Sequence, residues 1–220
     1  AYAADGTAIK TADDLKAMEN NPSGSYYLAN DIEVPANLSL FTDSRTPFTG
    51  TLDGNGHTIS GLNNALFAGG FAGTSGIVIK DLTLDKMTIN DSTNTQGIGA
   101  FICNVDSMPK IDLVNCRLTN STITSTAGAR VGGLVGWSSG YNKPNDGPVD
   151  TYVTITNCSV ENCEITAKGS VGGIIGHAGA NPATYHSITD CTVTNTKLHS
   201  TDDGGWRVGV VVGTANVGEV

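Results

Sequence analysis

Asp202 with Asp203, and Asp146 with Asp150, are the carboxylate clusters of this sequence. Two carboxylates about 5 to 9 Å apart across a groove are what hydrolysis of a glycosidic bond requires. Both clusters lie in Gly- and Pro-rich stretches, where acidic side chains usually solvate a turn. His57, His177, His186 and His199 fall at no metal-binding spacing, and Cys158 and Cys163 form a C-x₄-C pair that no second pair answers. Asp53-Gly-Asn-Gly opens like a calcium loop, but EF-hand spacing would place the loop glycine at Thr58 and the bidentate glutamate at Asn64. An Asn-Gly turn accounts for it. No Gly-x-Ser-x-Gly elbow occurs, and Val131-Gly-Gly-Leu-Val-Gly136 lacks the Lys-Ser/Thr ending of a phosphate loop. The sequence therefore assigns no catalytic residue, metal or cofactor, and Asp202, Asp203, Asp146 and Asp150 stand as the alternative for an enzyme.

Aromatic side chains give a different chemistry. Trp137, Tyr141, His177, Tyr185 and His186 all follow a Gly-apolar-apolar-Gly segment, and Trp206 stands apart with Arg130 and Arg207. Rings displayed on a rigid scaffold suit contacts with carbohydrate or protein. These six residues are the candidate ligand-binding set, and a glycan or surface glycoprotein is the expected partner.

Charge narrows the partners further. Twelve Lys and Arg against 21 Asp and Glu leave a net charge of −9, which repels phosphate backbones and anionic membranes. Nucleic acid is excluded as a partner. The longest apolar stretches, such as Val208 to Gly213, fall well short of the roughly 20 residues of a membrane span, and a monomer is expected. Ala1-Tyr2-Ala3 fits the small-x-small site left by signal-peptide cleavage, so export is expected.

The elements that must position the rings appear as a repeat. Ile98-Gly-Ala-Phe-Ile-Cys103, Val131-Gly-Gly-Leu-Val-Gly136, Val171-Gly-Gly-Ile-Ile-Gly176 and Val208-Gly-Val-Val-Val-Gly213 align without gaps, with a weaker copy from Asn63. A second block recurs in Ile79-Lys-Asp-Leu-Thr-Leu84, Leu113-Val-Asn-Cys-Arg-Leu118, Ile155-Thr-Asn-Cys-Ser-Val160 and Ile188-Thr-Asp-Cys-Thr-Val193. Apolar and polar residues alternate in both blocks, which is the period of a half-buried strand. Repeats with two or three such strands and no helix cannot bury an apolar face alone and must stack. The expected fold is all-β: a right-handed parallel β-helix in which Leu84, Leu118, Val160 and Val193 form one internal column and Ile79, Leu113, Ile155 and Ile188 another. Cys116, Cys158 and Cys191 then take the place of Leu82 as small core residues, all buried and reduced. Asp81, Asn115, Asn157 and Asp190, like Asn120, Asn162 and Asn195, are expected at bends with their side chains bonded to local backbone.

The N-terminal end reads differently. Thr11 caps a short helix carrying Leu15 and Met18 on one face, and Pro22 stops it. The expected organisation is one domain over residues 1–220, with a helical cap over 8–24 and coils over 25–220.

Gly133-Leu134-Val135-Gly136 and Gly173-Ile-Ile-Gly176 resemble the GLUG motif, which recurs in secreted bacterial surface proteins and beside immunoglobulin A1 protease domains. Thr51-Leu-Asp-Gly-Asn-Gly-His-Thr-Ile59 is similar to the segment that opens such β-helices. The resemblance covers roughly residues 8 to 220. It implies a bacterial surface or secreted location and an adhesin-like or spacer role. Protease members carry their zinc chemistry in a separate domain, and no His-Glu-x-x-His occurs here. Right-handed β-helices also host polysaccharide lyases and hydrolases, which is the alternative function. After the last copy at Val208 no second block follows, so this stretch is expected to be part of a longer surface protein.

Overall fold

The structure is a computed structural model that describes residues 5–35, 37–42, 46–71, 76–106, 108–139, 142–143, 147–148, 150–179, 184–202 and 207–215. The chain winds as a parallel β-helix whose coils contribute to five parallel sheets. One coil runs Ile77–Lys80, Thr83–Asp85, Thr88–Asp91, Gly97–Gly99, Ile102–Asp106 and then re-enters the first sheet at Lys110–Val114. Seven strands from Thr7–Ile9 to Thr184–Thr189 build that first sheet.

The four coils that start at Ile77, Lys110, Thr151 and Thr184 each carry five strands, more than the two or three expected, because the Gly-apolar-apolar-Gly block is two strands joined by an elbow. In the third copy the strands are Arg130–Gly132 and Val135–Ser139. A Cβ on Gly132 would overlap the carbonyl oxygen of Val135, and one on Gly136 would overlap the amide of Ile98 in the neighbouring coil. Close backbone approach, and not a left-handed φ, is what requires glycine here.

The inward columns run as the alternation implies. Leu52, Ile79, Leu113, Ile155 and Ile188 pair in register, as do Ile59, Leu84, Leu118, Val160 and Val193. Ile98, Val131, Val171 and Val208 form the column of the elbow strands. A fully buried aliphatic side chain contributes about 1.5–3 kcal/mol, but it does so only when coils above and below cover it.

The bends are made by residues with φ near +50°: Asp81, Asn115, Asn157 and Asp190 in one column, and Lys86, Asn120, Asn162 and Asn195 in another. Asn tolerates this left-handed conformation better than most residues. Its side chain does not bond local backbone as expected; it bonds the next coil. Asn157 Nδ2 donates to Asn115 Oδ1 at 2.7 Å and Asn115 Nδ2 to Asp81 Oδ1 at 2.8 Å. The reason is spacing: equivalent residues lie one strand separation apart, about 4.8 Å, which an amide spans.

At the N-terminal end the helix Ala12–Ala17 is closed by a capping box between Thr11 and Asp14. Backbone bonds from Lys10 and Thr11 hold the Asp14 carboxyl below its usual range. Leu15 and Met18 are fully buried, and a cluster of Tyr26, Phe41, Phe48 and Phe67 lies in the same first coils. The strand Thr7–Ile9 precedes the helix and pairs with Ser25–Leu28, so the helix links two adjacent strands of one sheet.

The cysteine column is present: Cys158 Sγ accepts the Cys116 amide at 3.3 Å, and both are buried and free. The hydrogen bond with Cys158 and then burial push the Cys116 thiol well above its ordinary range. Cys191 departs from expectation. It is only partly buried, because Thr184–Thr189, Thr192–Thr194 and Lys197–Ser200 are the outermost members of their sheets.

Two outcomes follow from this packing. In a native thiol titration Cys191 reacts first while Cys116 and Cys158 stay silent until denaturant is added; equal reactivity of the three would contradict the column. Asn115→Gly keeps the bend but loses the inter-coil bonds, whereas Asn115→Ala loses both. After allowing for the greater chain entropy of glycine, Ala should be less stable than Gly by about 0.5–1 kcal/mol in urea unfolding. Equal midpoints would show that the left-handed bend carries no cost.

Candidate functional site

The connections from Val135–Ser139 to Thr151–Thr156 and from Ile175–Ala178 to Thr184–Thr189 share one corner, since each joins the same two sheets. One flank of that corner is Val135–Ser139 and Ile175–Ala178; the other is Thr151–Thr156 and Thr184–Thr189. Register places the rings. Trp137 pairs with His177, their rings 6.3 Å apart at 76°, and the Arg130 guanidinium lies 5.4 Å from the indole centroid. On the other flank Tyr152 pairs with Tyr185. Their rings stack 5.0 Å apart at 16°, and they remain 49% and 54% exposed.

A hydrogen bond of 2.6 Å between Ser138 Oγ and His186 Nε2 ties the flanks together. Which atom donates depends on the imidazole tautomer. The pair has no hydrolytic geometry: Ser138 has no exposed surface for a substrate to reach, and no carboxylate is bonded to His186 among the described residues. Burial, helped by His177, holds His186 below the ordinary histidine range, and burial with Arg130 does the same to His177. Trp137 Nε1 and Asn104 Oδ1 are buried without partners among the described residues, on residues that pair in register.

Of the residues singled out in the sequence, Trp137, His177, Tyr185 and His186 are gathered at this corner. Tyr141, Trp206, Asp146 and Asp203 lie outside the described residues. Asp150 is exposed at the same corner, just before Thr151–Thr156, whereas Asp202 follows Lys197–Ser200 at a different bend. These two carboxylates do not flank one strand-to-strand turn. Among the described residues no three His, Cys, Asp or Glu side chains gather as a metal site. Arg130 lies over Trp137, because glycines let the elbow strands lie against the Trp137 strand; Trp206, with which the sequence grouped it, lies outside the described residues. Tyr152 was not singled out, although it stands one coil from Tyr185 in the same column.

Three cations on the outer surface are paired between neighbouring coils. Lys80 meets Asp53 at 2.9 Å, Arg117 meets Glu161 at 3.1 Å and Lys197 meets Glu164 at 2.7 Å. At such exposure these pairs contribute little to stability.

Both corner histidines titrate lower in the folded chain than in the unfolded one. The unfolded chain therefore takes up protons first as pH falls through about 6.5, and stability is lost below that value. The melting temperature of the protein should fall between about pH 7 and pH 5, and fall less in a His177→Gln, His186→Gln variant. Identical pH profiles for the two proteins would contradict the neutral, buried state of these rings.

Comparison with known proteins agrees with the architecture. The GLUG motif family matches residues 167–197. Immunoglobulin A1 protease of Streptococcus pneumoniae (strain ATCC BAA-255 / R6) is 26% identical over 219 residues, covering 83% of this chain and 10% of that protein. Halomucin of Haloquadratum walsbyi (strain DSM 16790 / HBSQ001) is 29% identical over 144 residues, covering 58% of this chain and 2% of that protein. The chain therefore spans a small part of the curated relatives it matches. The family of M26 IgA1-specific metallo-endopeptidase N-terminal regions matches residues 5–116, just over half of the chain. With the opening coils matched by that family and a later coil by the GLUG motif, the chain belongs to the M26 IgA1-specific metallo-endopeptidase N-terminal region family.

Proposed function

We propose that this chain is a surface-associated β-helix module, one domain of a longer secreted or cell-surface bacterial protein, that acts as a monomer by binding a glycan or surface glycoprotein. The observation that carries the reading is the exposed Tyr152–Tyr185 stack beside the Trp137–His177 pair. Aromatic faces bind the C–H surfaces of sugars and the side chains of proteins at small entropic cost, since the rings already stand in fixed positions. The setting is supported by the family and by the immunoglobulin A1 protease relative. The net charge of −9 favours neutral over polyanionic partners.

A glycan array and a pull-down on mucosal glycoproteins, run beside a reducing-sugar assay on polysaccharides, test this reading. Wild type should bind without releasing reducing ends. Tyr152→Ala and Tyr185→Ala should each weaken binding about tenfold while leaving the melting temperature within a few degrees. Turnover of a polysaccharide, or binding untouched by both variants, would overturn it.

A further inference from the structure

The four-stranded elbow sheet starts at Gly97–Gly99, and no strand of the preceding coil joins it. The equivalent segment, 61–66, forms no strand. In the later coils Gly136, Gly176 and Gly213 bring the elbow strands against the backbone, but the equivalent positions below are Ala68 and Cys103. Side chains stand where the other coils have hydrogen, and the layers do not close. A cavity of about 420 Å³ lies there, within the roughly 300–1,000 Å³ of small-ligand clefts.

It is lined by the apolar Ala65, Ala68, Ile89 and Ile98 and by the polar Thr42, Asn64, Asp91 and Thr93. Asp91 Oδ1 accepts the amides of Thr93 at 2.8 Å and Asn94 at 2.6 Å, which leaves Oδ2 without a donor among the described residues. Asn64 spends its amide hydrogens on Ser39 and Asn63 and keeps its carbonyl oxygen. The hydroxyls of Thr42 and Thr93 have no partner among the described residues. Cys103 adds no charge, since burial pushes its thiol up to about 11.

The side of the cavity formed by Leu40 and Thr42 is fixed from behind. Between them Phe41 sits at φ 47°, a conformation that a bulky residue holds only when its surroundings dictate it. Phe48 and Phe67 grip its ring at 5.4 and 5.3 Å, and its amide donates to Glu19 Oε1 at 2.6 Å. Glu19 is in turn held by Lys16 at 2.8 Å. A wall set in this way does not have to be ordered when a ligand arrives.

We propose that this cavity binds a single neutral pyranose unit, separately from the aromatic corner. Unspent acceptors among the polar lining residues match the several hydroxyl donors of the sugar, and the apolar lining residues take its C–H face. Asp91 disfavours uronic and sialic acids.

Amide chemical-shift titration tests it, with methyl glycosides of glucose, galactose and N-acetylglucosamine as neutral probes, and with glucuronate and butylammonium as charged ones. Neutral glycosides should move the amides of Thr93, Asn94 and Ile98 saturably, in wild type and equally in a Tyr152→Ala, Tyr185→Ala variant, which separates this site from the aromatic corner. Asp91→Asn, which keeps Oδ1 for the two amides, should weaken the effect about tenfold, and Ala68→Leu should abolish it by filling the cavity. The amide spectrum of each variant reports whether it has folded, and if Ala68→Leu has not, Asp91→Asn and Thr93→Val carry the test. No saturable shifts with any glycoside, shifts with butylammonium alone, or shifts indifferent to both Asp91→Asn and Thr93→Val would overturn the proposal.

Discussion

The parallel register between successive coils sets Leu52, Ile79, Leu113, Ile155 and Ile188 in one column, and every other feature of the molecule is built on that register. No coil can bury its apolar residues alone. The inward face of each strand is covered only by its neighbours along the axis and by the facing sheets. A slip of one residue would turn each inward side chain outward, so the energetic penalty for misregister is spread over every strand of a coil at once. The outer surface inherits the same order. Trp137 meets His177, and Tyr152 meets Tyr185, because their strands are locked one above the other.

Two local devices let the chain keep that register while turning. Asn and Asp at φ near +50° make the bends and pass a hydrogen bond from coil to coil, so a residue chosen for its backbone tolerance also adds to the stacking. Glycines at the elbow let two strands of one coil lie against each other. Where the second device is missing, at Ala68 and Cys103, the layers separate and a cavity opens. The same rule accounts for the tight part of the fold and for this breach.

Much of this was legible in the sequence and some was not. Alternation in blocks such as Ile155-Thr-Asn-Cys-Ser-Val160 exposes the inward columns directly, since burial follows the strand period. The elbow strands were hidden because Val171–Gly172 and its counterparts are too short for alternation, and glycine carries no side chain to mark a face. Burial at the last coil could not be read from Cys191 alone: its type matches Cys116 and Cys158, but its exposure depends on what covers it. Insertions pointed to the corner that gathers Trp137 and His186, whereas the place of Arg130 depended on how closely two strands approach. The cavity left no sequence signal beyond two departures from glycine.

The central claim is the register, and methyl–methyl nuclear Overhauser contacts in the protein with labelled Leu, Val and Ile measure it directly. Leu118 should contact Leu84 and Val160, and Val160 should contact Val193. Leu84 and Val160, two coils and about 9.6 Å of strand spacing apart, should show at most a weak contact. Strong contacts confined to nearest neighbours in each column are the predicted result. Contacts between Leu118 and residues one or two positions away from Leu84 and Val160, or their absence, would contradict the stacked-coil account.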